Sequence, residues 1–383
     1  MLPLNGIKVV EIAQNLAGPF ASEILARLGA DVVKVERPEG GDDARGWGPP
    51  FIAGAGSSFH SVNAGKRSIT LDLKDARAVA WLKGYVGGAD VLVENLRPGS
   101  LEALGLGPAV LLAINPRLVF CSISAFGPTG PLKDRPGYEP MMQAFAGLMM
   151  TSGSEGGPPL RLGVPVLDYG TGMWGAIGVL AALAQRARTG RGCVVDASLF
   201  ETALGWLTGH VASFRASGNV PPRHVTGSPR LVPFQGFETR TGPIIVAVGN
   251  DRLFVALAHA LERPEWAKDP RFRTNADRYA HKELLVTEIE AVLMTRTQPE
   301  WLDRLEHAGV PCAPINTLRR VLDEPQTAAS EMLQRVPGIE LDLVGLPLRF
   351  DGKRPAQPGP APHLGEHTKE IVGEIPDSEV PRP

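Results

Sequence analysis

The chain opens with two apolar, β-branched runs separated by a short helical pattern, and this arrangement restricts the fold more than any other feature. Residues 7–12 and 31–36 have the composition of buried strands, and residues 20–28 carry apolar side chains at helical spacing. A strand, a helix and a second strand in this order form a βαβ unit, whose strands run parallel. The sequence therefore predicts an α/β fold. Further strand-like runs follow at residues 69–73, 91–94 and 118–123.

The first turn of this unit lacks the glycines of a dinucleotide-binding site. Residues 13–19 contain one glycine, Gly18, whereas the Rossmann fingerprint needs three. Glu36 does end the second strand, where an acid binds a ribose hydroxyl in such proteins. Because a pyrophosphate cannot approach the backbone closely without the glycines, we do not expect a nicotinamide or flavin cofactor.

Polar and basic side chains recur where the predicted strands end. Arg37, Asn95, Arg97 and Ser124 each lie at or just after the end of a strand-like run. Ligands of open α/β sheets bind outside the carboxyl ends of the strands, and arginine suits phosphate or a stacked base. Each residue alone is compatible with an ordinary surface loop. Together they predict a crevice for a phosphate-bearing ligand.

Asp168 lies where the chain must change direction. A run rich in β-branched residues precedes it, and a Gly- and Ala-rich helical pattern over residues 173–188 follows it. Aspartate is a favoured N-cap residue, which would be a purely structural role. The alternative is a carboxylate that takes part in chemistry, and this stretch alone leaves both open. A second aspartate, Asp196, is predicted to cap a helix over residues 199–216.

The composition changes in the second half of the chain, which predicts a second, smaller domain. Residues 217–233 are rich in Gly, Pro, Ser and basic residues, as in a linker, and strand and helix patterns follow. The Pro-rich sequence near the end is expected to return to the first domain and make it discontinuous. The predicted division is residues 1–220 for the N-terminal part of the large α/β domain, 221–318 for the linker and small α+β domain, and 319–383 for the return segment.

Composition excludes several classes of protein. The 383 residues are 43% hydrophobic and 21% charged, with a formal net charge of −2, which disfavours a disordered chain or a general nucleic-acid binder. The 3 cysteines are too few for a disulfide framework, and the N-terminus lacks a signal-peptide pattern. No uninterrupted apolar run reaches the about 18 residues of a membrane span. We expect a cytoplasmic protein without nucleic-acid or membrane partners.

A zinc-site pattern near the end of the chain is discounted. His363, Glu366 and His367 match the His-x-x-Glu-His spacing of some metalloproteases. Gly365 lies within the pattern and prolines precede it, so a helix face that presents both histidines is not expected. We predict no metal site.

A series of short motifs runs along essentially the whole chain. The motifs are Glu11; Ala17, Gly18 and Pro19; residues 28–38 with Gly41 and Asp42; Asn63 with Lys66, Arg67 and Ser68; residues 93–95 with Pro98 and Gly99; Asp168 with Gly172; and residues 189–192, 269–272, 309–311 and 364–368. In this order they resemble the class III CoA-transferase family (CaiB/BaiF type), which includes formyl-CoA:oxalate and carnitine CoA-transferases.

The resemblance implies a Rossmann-like large domain formed by both chain ends, a smaller central α+β domain, and an interlocked homodimer. It implies no permanently bound cofactor, because coenzyme A and acyl-CoA are substrates together with a carboxylic acid. Asp168 stands at the position of the family's catalytic aspartate. Residues at CoA-contacting positions are Asn15, Leu16, Ala17, Arg37, Leu71, Asn95, Leu96 and Arg135, and those at positions near the acyl group are Tyr138, Glu139 and Gly170.

The chemistry implied is a CoA transfer through Asp168. An aspartate is ordinarily ionised at neutral pH, so it needs no general base before it attacks a thioester. The attack gives an aspartyl anhydride, which CoA converts to an aspartyl-CoA thioester. A turn at residues 170–172 is expected to donate N–H groups to the oxyanions.

Three departures from the formyl-CoA enzyme make oxalate specificity doubtful. A glutamine of that enzyme is Leu16 here, a CoA-contacting arginine is Ala103, and no tetraglycine loop occurs in the middle of the chain. Two other functions remain open. An α-methylacyl-CoA racemase would need the His-Asp pair that is Tyr138 and Glu139 here. A CoA-binding protein without catalysis is the third hypothesis, and an intact Asp168 counts against it.

Overall fold

The structure, a computed structural model, describes residues 1–373, which form two compact units. Within the described chain, the first unit comprises residues 1–146, 161–208 and 326–373, so sequence from both halves of the chain contributes to it. The second unit comprises residues 147–160 and 209–325. The domain boundaries predicted from the sequence stay a prediction.

Strands and helices alternate through the first half of the chain. In chain order, the strands are β1 (Lys8–Ile12), β2 (Asp31–Glu36), β3 (Phe51–Ile52), β4 (Ala55–Gly56), β5 (Arg67–Thr70), β6 (Val91–Glu94), β7 (Val119–Ser124), β8 (Val194–Ser198), β9 (Phe234–Phe237), β10 (Ile244–Ala247), β11 (Cys312–Pro314), β12 (Leu333–Arg335) and β13 (Asp342–Val344). The helices are α1 (Ala17–Arg27), α2 (Ser57–Asn63), α3 (Ala76–Gly87), α4 (Ser100–Ala103), α5 (Pro108–Ile114), α6 (Glu139–Phe145), α7 (Val166–Thr189), α8 (Leu199–Trp206), α9 (Thr208–Ser217), α10 (Asp251–Ala260), α11 (Asn275–Ala280), α12 (Lys282–Leu293), α13 (Gln298–His307), α14 (Leu318–Asp323), α15 (Pro325–Ser330) and α16 (Thr368–Ile371).

The first unit is built on a six-stranded sheet in the order β5-β2-β1-β6-β7-β8, and every neighbouring pair is parallel. The predicted α/β fold with a large parallel sheet is therefore confirmed. The chain adds β2 and β5 on one side of β1 and then crosses to β6 on the other side. Between β1 and β6 the connections depart in opposite directions, which opens a crevice at the carboxyl ends of these strands.

Alternate side chains of the strands pack on opposite faces of the sheet. On one face, Val9 of β1 packs in a buried cluster with Leu25 of α1 and Val179 of α7. On the other face, Val10 of β1 packs in a second cluster with Leu82 of α3. Both faces are covered by helices, which explains why the strands are almost uniformly apolar in the sequence.

A cluster of charged side chains is buried beside α1. Lys34 Nζ lies 2.6 Å from Glu11 Oε1 and 2.8 Å from Asp42 Oδ2, and Lys66 Nζ lies 2.7 Å from Glu11 Oε2. The side chains in these three ion pairs are 0% exposed. Burial alone would raise the pKa of Glu11, but the two ammonium groups outweigh burial and lower that pKa to about 2. Each charge is therefore kept in the interior by its partners.

The helix that carries Asp168 begins earlier than predicted. α7 starts at Val166 instead of residue 173, and its N-cap is Pro165, with no side-chain cap. The interpretation of Asp168 as an N-cap is therefore wrong, because this residue lies inside the first turn. The predicted turn at residues 170–172 is also wrong, because these residues continue the helix. Their glycines allow close packing instead: a Cβ on Gly172 would lie 2.7 Å from the carbonyl oxygen of Ala17 in α1.

The predicted role of Asp196 is also wrong. Asp196 lies within β8, and the N-cap of α8 is Ser198, whose side chain accepts the N–H of Glu201. The sequence pattern placed the cap two residues too early because it ended the strand too soon.

The end of the described chain packs on β5. The N–H of His367 donates to the carbonyl oxygen of Ser68, and the N–H of Thr70 donates to Thr368 Oγ1 at 2.9 Å. α16 begins only after His367, so His363 and His367 do not share a helix. Within residues 1–373, no group of three or more His, Cys, Asp or Glu side chains is arranged to hold a metal ion.

α7 is the one helix of the described chain that is long and apolar enough to cross a membrane by length and composition. The sequence pattern predicted no segment of this length, because it placed the start of this helix further along the chain. Several of its side chains, including Ala176, Val179 and Ala182, belong to the buried cluster on the sheet. This packing is the ordinary reason for an apolar helix in a parallel α/β fold.

Candidate active site

A cavity of about 580 Å³ opens at the carboxyl ends of the parallel strands of the first unit. Its walls come from the residues that follow β1, β2, β6 and β7 and from the start of α6 and α7. The position agrees with the crevice expected where the strand order reverses. The predicted site residues in its walls are Asn15, Leu16, Ala17, Arg37, Asn95, Leu96, Arg135, Tyr138, Glu139 and Asp168.

Two predicted site residues do not line this cavity. Leu71 is 3% exposed and belongs to the buried cluster on the α3 face of the sheet. Gly170 lies inside α7, and a Cβ at this position would lie 2.8 Å from the Trp206 ring and 3.0 Å from Thr202. Their predicted contacts with CoA and the acyl group stay predictions.

The cavity walls also contain residues that the sequence interpretation did not assign to the site. Asp43 and Trp47 belong to the polar loop that follows Arg37, and Gln14 precedes Asn15. The signal for the first two was present in the sequence, since a Gly-rich polar loop after a parallel strand commonly carries function. Arg97 was recognised only as a strand-end residue, and it too lines the cavity.

Hydrogen bonds hold the loop after β1 in an unusual conformation. Asn15 has a φ of 67°, in the left-handed region that non-glycine residues seldom adopt. Its N–H donates to Asp42 Oδ1 at 3.0 Å. The Asn95 side chain makes two bonds of 2.8 Å with Gln14, as acceptor of its N–H and as donor to its carbonyl oxygen. The loop after β1 is thus connected to the loops after β2 and β6.

Cationic side chains give the cavity a surface suited to phosphate. Arg37 is half exposed and donates to the carbonyl oxygen of Gly41 at 2.8 Å and to Asp43 at 2.6 Å. Arg97 and Arg135 also line the cavity and form no ion pair within residues 1–373. A planar guanidinium binds phosphate oxygens in a bidentate manner, so these side chains can hold a phosphate-bearing ligand.

Asp168 is half-buried in the first turn of α7 and lines the cavity. In the described part of the chain no group donates a hydrogen bond to this carboxylate. Burial, and after it the charge of Glu139, raise the pKa of Asp168 to about 7. The expectation of an aspartate fully ionised at neutral pH is therefore wrong for the free protein, because the residue loses solvent and faces a second carboxylate.

Glu139 is the first residue of α6 and is 3% exposed. Its Oε1 accepts a hydrogen bond from Gln143 Nε2 at 2.6 Å, and its Oε2 lies 3.4 Å from Arg161 Nη2. Tyr138, the preceding residue, is 68% exposed. Of the three carboxylates in the cavity walls, Glu139 and Asp43 are therefore held by donors, whereas Asp168 receives no hydrogen bond within residues 1–373.

Comparison with known proteins identifies the family of the chain. The chain matches CoA-transferase family III over residues 4–368. It is 36% identical to the succinyl-CoA:glutarate CoA-transferase of Mus musculus, over 98% of this chain and 87% of that protein. It is 39% identical to the acetyl-CoA:oxalate CoA-transferase of Acetobacter aceti, over 93% of this chain and 92% of that protein.

The fold is also similar to a solved structure. A CaiB/BaiF family protein from Brucella suis superimposes with a TM-score of 0.88 at 39% identity, covering 98% of this chain and 100% of that one. The predicted family is confirmed by both comparisons. The chain therefore belongs to CoA-transferase family III and is an acyl-CoA:carboxylate CoA-transferase.

Proposed function

We propose that the protein moves CoA from an acyl-CoA thioester to a free carboxylic acid through covalent intermediates on Asp168. The observation that carries the proposal is that Asp168 lines an arginine-lined cavity and that its carboxylate receives no hydrogen bond within residues 1–373. Arg37, Arg97 and Arg135 would hold the CoA phosphates at a distance from the reacting bond. Binding energy from that remote part can orient the thioester and retain CoA between the two half-reactions.

The proposed steps balance without a cofactor. An oxygen of Asp168 attacks the thioester carbonyl, the carbon–sulfur bond breaks, and CoA leaves as a thiolate with the electron pair. The thiolate then attacks the aspartyl carbonyl of the anhydride, which releases the first acid as a carboxylate and leaves an aspartyl-CoA thioester. The acceptor carboxylate then attacks the aspartyl-CoA thioester, which forms a new anhydride and releases the CoA thiolate. The thiolate attacks the acyl carbonyl of this anhydride, which gives the new acyl-CoA and frees the Asp168 carboxylate.

The environment of Asp168 favours its acylation. A carboxylate that is buried and close to the charge of Glu139 is destabilised relative to one in water. Acylation converts Asp168 into a neutral anhydride or thioester, which removes both unfavourable effects. A carboxylate of higher pKa is also the more basic nucleophile, provided that it is ionised.

We expect activity to fall on the acid side of pH 7. Because only the carboxylate form of Asp168 can attack, kcat/KM for acyl-CoA should rise about tenfold per pH unit below about pH 7 and level off above it. Initial rates from pH 5 to pH 9 test this.

A second carboxyl group needs a control. Burial also raises the pKa of Glu94 to about 7, although its contacts with Ser122 and the Leu96 N–H oppose this. The control is therefore Glu94→Gln, which should keep the acid limb. If Glu94→Gln no longer loses activity at acid pH, the fall is caused by Glu94 and not by Asp168.

The names of the relatives suggest the first substrates to test. A protein of Agrobacterium fabrum that is 36% identical over 97% of this chain is a succinate–glutarate CoA-transferase, and the mouse relative also uses succinyl-CoA and glutarate by name. We propose succinyl-CoA as donor and a dicarboxylate as acceptor. A matrix of acyl-CoA donors against mono- and dicarboxylic acids, with separation of the CoA products, tests the proposal. Preference for monocarboxylate acceptors throughout would overturn it.

We also propose that the protein is a homodimer with interlocked chains. Large apolar side chains on α7 and α8 are about half exposed, and a soluble monomer seldom leaves so many together. They are Met173, Trp174, Ile177, Leu204 and Trp206.

We expect light scattering at micromolar concentration to give twice the mass of one chain. Trp174→Glu places a charge in the proposed interface and should lower the dimer content or the yield of folded protein. Val110→Glu, at an equally apolar exposed side chain of α5, is the control and should leave the dimer intact. A monomeric wild type with full activity would contradict the proposal.

Proton transfer of the racemase kind is the second candidate, and one observation favours it. A carboxyl group with a pKa of about 7 is suited to act as a general acid and base. Incubation of a 2-methylacyl-CoA in D₂O distinguishes the two functions, since a racemase incorporates deuterium at the α-carbon without an acceptor acid.

Three predictions from the sequence are retained as further proposals. They are a cytoplasmic location, the absence of a permanent cofactor and the sequence-based domain boundaries.

A further inference from the structure

Gln143 lies on α6, four residues after Glu139, and its side chain is fully buried. Its Nε2 donates to Glu139 Oε1 at 2.6 Å and to the carbonyl oxygen of Leu162 at 3.3 Å, and its Oε1 accepts the N–H of Leu162 at 3.0 Å. A carboxylate can only accept and a backbone N–H can only donate, so the partners determine the orientation of the amide. Both ends of the amide are therefore engaged by groups next to the site.

These bonds connect the Glu139 carboxylate to the segment that precedes Asp168. Leu162 belongs to the segment that leads through Pro165 into the first turn of α7, where Asp168 lies. Gln143 therefore ties this segment to the helix turn that carries Glu139. Arg161 is the second donor to Glu139, but its side chain is 49% exposed and the contact is 3.4 Å long. The buried amide makes the shorter contact and is shielded from competing water.

We propose that Gln143 is a positioning residue, which holds the Glu139 carboxylate and the segment before α7 so that Glu139 and Asp168 face the acyl group across one cavity. The inference rests on the proposed function. When an Asp168 oxygen bonds to the acyl carbon and CoA leaves as a thiolate, the negative charge of Asp168 disappears. If Glu139 is held in place, its charge repels the ionised Asp168 strongly, and acylation of Asp168 relieves this repulsion. If Glu139 is mobile, its carboxylate can turn away, and acylation then relieves less repulsion.

The test uses Gln143→Met in the full-length protein, with Gln298→Met as the matched control. Gln298 is also a buried glutamine, 3% exposed, and donates to the carbonyl oxygen of Pro243 at 2.7 Å and accepts from Arg320 at 2.5 Å. It belongs to the second unit and does not line the cavity. Rapid quenching after mixing with succinyl-CoA, followed by mass spectrometry, measures how fast the Asp168 adduct forms. Thermal unfolding measures what each substitution costs in stability.

We expect adduct formation per folded Gln143→Met molecule to slow about 10- to 100-fold, with KM for succinyl-CoA within about twofold of wild type, because the arginines remain. Gln298→Met should lose comparable stability and form the adduct at the wild-type rate. Gln143→Glu is a second variant, which keeps an acceptor for Leu162 and loses the donor to Glu139. It should be slowed to a similar extent, which tests the proposal if Gln143→Met does not fold.

Two results would overturn the inference and are distinguishable. If both Gln143 variants fold and form the adduct at the wild-type rate, Gln143 has only a structural role, whatever the loss in melting temperature. If the wild type itself turns over without an Asp168 adduct, the proposed function fails, and the positioning role fails with it.

Discussion

Replacing Asp168 with alanine should abolish CoA transfer, with a loss on the order of 10⁴-fold or more in kcat. In the proposed mechanism this carboxylate is the group that is acylated. Among residues 1–373 no other carboxylate in the cavity walls is free to replace it, since Glu139 is held by Gln143 and Arg161 and Asp43 is paired with Arg37. Binding of CoA, measured by calorimetry, should change little because Arg37, Arg97 and Arg135 are untouched. The control is Asp196→Ala, at an exposed aspartate of β8 outside the cavity walls, which should keep wild-type activity.

The same position has an expected effect on stability that does not depend on activity. The folded-state pKa of Asp168, about 7, lies above the value of 3.8 for an unperturbed aspartate, so ionisation destabilises the folded protein as the pH rises from about 4 through 7. Asp168→Asn removes this penalty. Because the residue is half-buried and solvent screens part of the effect, we expect a gain on the order of 2 kcal/mol at pH 8. The gain should vanish near pH 4. An equal gain at both pH values would show that ionisation of Asp168 is not its cause.

Replacing Lys34 with methionine should produce the largest loss of stability. Glu11 and Asp42 would lose a cation that lies 2.6 and 2.8 Å away, and both are 0% exposed. Removing one partner of a buried ion pair leaves an uncompensated charge and costs about 3–5 kcal/mol. Urea unfolding followed by circular dichroism measures the free energy of unfolding. Because Asp42 also accepts the Asn15 N–H, we expect weaker CoA binding in the fraction that remains folded.

Arg67→Met provides the control for Lys34→Met. Arg67 pairs with Asp31 at 2.5 Å, but its side chain is 29% exposed and that of Asp31 is 47% exposed. Water and salt screen such a pair, so its loss should cost less than about 1 kcal/mol. Equal losses in the two variants would show that burial does not determine the strength of these ion pairs.

The fold could be predicted from the sequence where apolar runs are bounded by clear breaks. β2 and β6 have the predicted bounds, and β1 begins one residue later than predicted and ends where predicted. The start of α7 could not be predicted, because Val164, Pro165 and Val166 favour extended backbone. Close packing against α1 overrides that preference, since Gly172 lets the two helices approach to a distance that any Cβ would prevent.

The members of the site were predicted better than its electrostatics. Residues such as Arg37 and Asn95 were identified because strand ends of a parallel sheet meet at one edge. The raised pKa of Asp168 depends on burial and on Glu139, which comes from another part of the chain, and neither is visible in the sequence around Asp168. The same holds for Gln143, whose role follows only from its partners in the folded protein.

Covalent labelling of the wild type tests the central claim most directly. The protein is incubated with succinyl-CoA without an acceptor acid, quenched in acid, digested and analysed by mass spectrometry. The proposed mechanism predicts a CoA adduct on the peptide that contains Asp168, which hydroxylamine removes and which does not form in Asp168→Ala. Steady turnover by a wild type that carries no adduct, or an adduct on a different residue, would contradict it.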